Sequence, residues 1–182
     1  MKKFLEISKK PLVIAIVASI LYLIDALIGG LFVDGGSFMW VAFALWTVFF
    51  GSSINERIRA LIGVVIGFAA AVLMMLITSS FTLNVHTISI SCLLGVFVVN
   101  ALVMYLEKTE KCWTNSISGV FVGIMLTFSG LGAGLNPLNS VKEAFVMLAI
   151  IVVYTILGLI CGFCSIFFTK SKEQAPEIKE TK

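Results

Sequence analysis

Few residues in this sequence could do chemistry, and those few stand among apolar neighbours. Asp25 is the only ionisable side chain well within an apolar run, 14 residues after Pro11, which is about 21 Å along a helix. A carboxylate at that depth is costly and therefore a functional candidate, able to bind a cation, a polar solute or a proton. The competing reading is a near-interface carboxylate that water reaches past Gly29-Gly30. Asn100 carries two amide donors and an acceptor that need partners away from water. It either lines a path or joins two helices, and joining is the commoner use of such side chains in membranes. Thr47, Thr127 and Ser129 have hydroxyls that can face a solute or bond their own helix carbonyls one turn back.

Two aromatic residues complete the candidate set. Ala44-x-x-x-Val48-Phe49-Phe50-Gly51 parallels Gly123-x-x-x-Thr127-Phe128-Ser129-Gly130. Phe49 and Phe128 facing each other at mid-depth would form a flat slot for small planar solutes. The more ordinary role for such rings is packing or facing lipid.

Other groupings lead nowhere catalytic. Cys161 and Cys164 share a helical face, yet a closed zinc site needs four ligands and the one histidine, His86, is far off in sequence. No metal or other cofactor is expected, and the cysteines read as small core residues. Ser129 and His86 would need hydrogen-bond contact to act as nucleophile and base, and nothing in their spacing brings them together. Phosphate-binding Gly loops and nucleic-acid-binding patches are absent from the sequence, so neither an enzyme nor a nucleic-acid binder is expected.

The elements that must position these residues follow from composition. Of 182 residues, 59% are hydrophobic and 13% charged, and the mean hydropathy is +1.08. A soluble domain could not bury apolar blocks of this size. They fall at 11–32, 38–50, 58–77, 88–105, 117–131 and 144–168, separated by segments rich in Gly, Ser, Asn and charge. A bilayer core of about 30 Å takes around 20 helical residues, so six runs predict six spans. The first run is too long for a signal-peptide core and reads as an uncleaved span. With a cytoplasmic N-terminus, 12 of the 13 Lys and Arg residues lie inside and only Lys142 outside. The positive-inside rule thus predicts six spans with both termini in the cytoplasm.

Six spans divide into two groups of three, and three is odd, so equivalent helices would run in opposite directions. That is the arithmetic of an inverted repeat. The second and fifth runs are short and each ends near a glycine, the pattern that points to a solute site at mid-depth. Gly63/Gly67, Gly119/Gly123 and Gly158/Gly162 have the G-x-x-x-G spacing that lets helix backbones approach closely. Tyr22, Trp40, Tyr105 and Trp113 fall near predicted span ends, as an aromatic belt would.

The segment Gly119-x-Phe121-Val122-Gly123-x-x-x-Thr127-Phe128-x-Gly130 resembles the YcdZ-like bacterial inner-membrane proteins, a domain-of-unknown-function family. The specific likeness spans little more than a dozen residues, and the six-span layout is compatible over about 170. In the first half Ala44 and Val48 depart from the glycine and hydroxyl-bearing residue that would sharpen the repeat. The resemblance implies a polytopic bacterial inner-membrane protein and carries over no activity.

The expectation is therefore an all-α, polytopic membrane protein of six transmembrane helices in two inverted three-helix repeats. A basic N-tail occupies 1–10, the membrane domain 11–169 (halves about 11–80 and 85–169), and a disordered cytoplasmic tail 170–182. Sparse ionisable content favours passage of a small neutral or polar solute between spans two and five. Substrate contacts would come from Phe49, Phe128, Thr47, Thr127, Ser129, Gly123, Asp25 and Asn100. The alternative is a non-transporting scaffold or subunit that docks another membrane protein. The partners expected are the lipid bilayer, a small-molecule solute and a second copy of the chain, with no nucleic acid.

Overall fold

The computed structural model describes residues 2–33, 37–80, 84–85, 88–107 and 116–169. Six helices carry the chain: α1 (Lys2–Phe32), α2 (Met39–Val48), α3 (Ile54–Ser80), α4 (Ile90–Glu107), α5 (Ile117–Gly132) and α6 (Val141–Thr169). Between α3 and α4, β1 (Asn84–Val85) and β2 (Ile88–Ser89) form a two-residue antiparallel pairing, Asn84 opposite Ser89 and Val85 opposite Ile88. The fold is all-α apart from this small hairpin. Residues 2–10, expected as a separate tail, continue α1. The tail expected at 170–182, together with His86, Cys112 and Trp113, lies outside the described residues.

Segments of α1, α3 and α6 (Leu12–Phe32, Ile54–Ser80 and Val141–Phe167) are long and apolar enough to cross a bilayer. The helices α4 and α5 have 18 and 16 residues. With ten residues, α2 is about 15 Å long, half of what a bilayer core requires. Large apolar side chains stand outward, Leu27, Leu31 and Phe97 among them, each more than 70% exposed. Such surfaces identify a membrane protein, since water would not tolerate them in this number.

Local sequence accounts for most helix starts. Ser53 and Glu56 form a reciprocal capping box on α3: the Glu56 N–H donates to Ser53 Oγ and the Ser53 N–H to Glu56 Oε2 (3.3 and 2.6 Å). Ser140 receives the Glu143 N–H (3.1 Å) at the start of α6, and Ser116 receives the Gly119 N–H (3.2 Å) at the start of α5. The turns leaving α2 and α5 both use a glycine at positive φ, Gly51 (86°) and Gly134 (83°), where a side chain would be strained. α2 starts without a side-chain cap of its own. Its entry residue is Phe38, which has no side-chain acceptor.

Helix packing rests on small residues. Gly63 and Gly67 of α3 lie against Gly119 and Gly123 of α5, and a Cβ on Gly119 would stand 2.8 Å from the Ala60 carbonyl oxygen. A Cβ on Gly123 would meet Val64 backbone still more closely. Gly158 and Gly162 of α6 lie against Ala42 and Trp46 of α2. Both contact lines advance in the same direction along each pair, so α3 runs parallel to α5 and α2 parallel to α6. In lipid, where apolar surface gains nothing by leaving apolar surroundings, this close backbone approach is the source of cohesion. The main contacts follow one rule: α2 lies chiefly on α6 and α5 chiefly on α3, while α1 lies on α6 and α4 on α3.

Candidate functional site

The short helix α2 is bracketed by two buried charges of opposite sign. At its start, Asp25 of α1 is 2% exposed. Its Oδ1 accepts the Phe38 N–H (2.9 Å) and the Tyr154 hydroxyl of α6 (2.5 Å), while Oδ2 accepts the Ser37 hydroxyl (2.5 Å). Asp25 thus supplies in trans the cap that Phe38 cannot. It also sits at the positive end of the α2 dipole, where a carboxylate is stabilised. All these donors are neutral, and together they replace the hydration that burial removes.

At the other end, Arg57 of α3 is 8% exposed. Its Nε donates to the carbonyl and hydroxyl oxygens of Ser52 (3.2 and 3.4 Å), and one terminal nitrogen donates to the Leu159 carbonyl of α6 (3.0 Å). The guanidinium lies 5.5 Å from the centre of the Phe163 ring, a cation–π geometry. Ser52 belongs to the turn that closes α2, so the cation sits where the dipole is negative. Both charged groups anchor α2 to α6, one through Tyr154 and one through Leu159.

At the Asp25 end, α2 and α5 meet at a cavity of about 10 Å³, room for about one water-sized molecule. Phe38 and Val41 of α2, Leu126 and Gly130 of α5, and Met147 and Ile151 of α6 line it. The lining is apolar. The start of α2 therefore meets the end of α5, and the two helices are antiparallel here.

That register decides the fate of the aromatic slot. Phe49 closes the far end of α2, whereas Phe128 belongs to the end of α5 near Phe38, so the rings are not brought together. Phe49 is buried at 8% exposure and Phe128 is 37% exposed. The polar candidates mostly bond their own helices. Thr47 donates to the Phe43 and Ala44 carbonyls (both 2.9 Å), Thr127 to the Gly123 carbonyl (2.7 Å) and Asn100 to the Val96 carbonyl (2.8 Å). Gly123 serves the α3 contact and Ser129 is exposed. Of the eight residues, Asp25 is the one whose side chain accepts hydrogen bonds from other elements.

Three participants escaped the sequence reading. Arg57 enters the sequence reading only as a loop residue and a basic charge, and Ser37 does not enter it. Tyr154 did carry a signal: a lone phenol in the middle of the last apolar run needs a partner when buried. Thr155, beside it, is fully buried with no hydrogen-bond partner. Among the described residues no three His, Cys, Asp or Glu side chains converge as a metal site requires, and Cys161 and Cys164 are free thiols.

No curated protein and no solved structure matches the chain. A family model does, over residues 12–170, which takes in all of α2–α5, both charged brackets and the cavity. The chain belongs to the family described as protein of unknown function (DUF1097).

Proposed function

We propose that this protein is a small-solute channel or secondary transporter of the bacterial inner membrane, with its path along the seam between α2 and α5. In this reading all six helices cross the bilayer, as two inverted three-helix halves with both termini cytoplasmic. The observation that carries it is the pairing rule: the first and second helices of each half lie on the third helix of the other half. Exchange of the halves leaves that rule unchanged. The parallel pairs α3/α5 and α2/α6 agree with it, because in six alternating spans the third and fifth run one way and the second and sixth the other. Matching turns add support, with a positive-φ glycine and then a Ser-x-x-Glu start in each half.

Inverted repeats with a truncated helix at the interface are the usual architecture of solute pathways. A ten-residue α2 brings its polar ends, and with them Asp25 and Arg57, into the body of the bundle. The likeness of residues 119–130 to YcdZ-like proteins supports the inner-membrane location. Sparse charge and an apolar cavity wall favour a small neutral solute over an inorganic ion.

A non-transporting membrane subunit is the second reading, and the cavity favours it: about 10 Å³ and dry walls describe a seam that is closed. Stopped-flow light scattering on proteoliposomes separates the two. Glycerol, urea and formamide serve as probes, with protein-free vesicles as the baseline. Passage predicts faster re-swelling for at least one probe, slowed by Leu126→Trp at the seam. Rates equal to protein-free vesicles for all three, together with a stoichiometric partner retained in mild detergent, reject transport and leave the subunit.

A further inference from the structure

Phe38, a wall of the cavity, is held in place by residues outside it. The Phe38 backbone N–H is bound by Asp25, and its ring packs edge-on against Tyr154 at 5.9 Å and 64°. Tyr154 in turn donates to the same carboxylate oxygen. Phe38 is 3% exposed and forms one wall of the cavity. A single carboxylate thus fixes the backbone of the plugging residue and the ring it leans on.

The remainder of α2 is held chiefly by α6. Arg57 ties the opposite end to Leu159. Between the ends, Ala42 rests on Gly158 with no side chain interposed, a cohesive contact that leaves α6 as the support of α2. Contacts of α2 with α1 and α5 are light compared with those to α6.

We propose that Asp25 and Tyr154 are positioning residues that hold Phe38 as a plug over the α2–α5–α6 cavity. When their hydrogen bonds break, the start of α2 tilts over α6 and away from α5, with its Arg57 end held. This rests on the transport reading, since a plug has use only over a path. The released form is a crevice at the Asp25 end, lined by Val41, Leu126 and Ile151.

Thiol labelling tests this without any solute flux. In a chain whose own cysteines are replaced by serine, Leu126→Cys is placed in the cavity wall and Val99→Cys in the second core cluster, formed by α3, α4 and α5; both native residues are 1% exposed. The protein is held in lipid nanodiscs and treated with a polar maleimide. Asp25→Asn is expected to speed labelling at position 126 by roughly tenfold or more, the population shift that follows loss of a hydrogen bond to a charged group. Tyr154→Phe raises it by less, and position 99 is unchanged in both. An unchanged rate at position 126 in both variants overturns the plug, as does an equal rise at 126 and 99, which is general loosening. Should Asp25→Asn fail to fold, the nearly isosteric Tyr154→Phe carries the test alone. Labelling that behaves as expected while all vesicle fluxes equal the baseline rejects transport and leaves the moving α2. Flux without a labelling change rejects the plug and leaves transport.

Discussion

Removing a carboxylate from water costs several kcal/mol even after the protein relaxes, and Asp25 offsets that cost with the Ser37 and Tyr154 hydroxyls and the Phe38 N–H. Hydrogen bonds to a charged group are worth about 1.5–3 kcal/mol each, so two or three suffice. Tyr154→Phe deletes one of them without changing the ring, and is expected to lower unfolding stability in detergent by about 1.5–3 kcal/mol. A change below about 0.5 kcal/mol, the usual range for a substitution that breaks nothing, would mean that the phenol is not holding the carboxylate. How much of this was readable beforehand differs by residue. Asp25 stood out as the lone acid in an apolar run. Its partners did not, because Ser37 follows it by 12 residues and Tyr154 by 129, and no local pattern links such distances.

At the scale of elements, glycines divide into those that carry contacts and those that do not. Gly123 lies on the α3 backbone, while Gly30 of α1 has nothing within 4 Å of where a Cβ would stand. Gly123→Ala is expected to force α3 and α5 apart and cost about 1–3 kcal/mol, as overpacking does. Gly30→Ala is expected to be neutral or stabilising by up to about 1 kcal/mol through helix propensity. Thermal unfolding of the two variants in detergent compares them directly, and equal effects would refute the close α3–α5 approach. The G-x-x-x-G spacing identified these surfaces in the sequence. Their pairing was not visible there, since Gly119/Gly123 could have met any other helix. Ser53-x-x-Glu56 and Ser140-x-x-Glu143 ahead of apolar runs are a further local signal; the first closes a full capping box and the second a one-way cap, and they mark the matching third helices of the two halves.

For the whole molecule, the proposed six-span reading assigns one orientation to the basic residues. Arg59 near the start of α3 and Lys142 near the start of α6 are both exposed and are expected on opposite faces of the membrane. In a chain without its native cysteines, Lys142→Cys should react with an impermeant maleimide on intact cells, and Arg59→Cys only after the membrane is opened. Reaction of both from the same side would remove the six-span inverted arrangement and with it the proposed path.

The sequence alone determined the class of molecule, the six apolar segments and the isolated acid, because hydropathy and charge are local properties that lipid sorts residue by residue. It also marked the second segment as short. Only the tertiary structure decided what that shortness is for: Phe38 has no cap of its own, so α2 borrows one from α1 and a countercharge from α3. It decided as well that Phe49 and Phe128 stay apart, because the start of α2, not its end, meets the Phe128 end of α5. Which glycine faces meet, and so which helices pair, is a property of surfaces in contact rather than of any one stretch of chain.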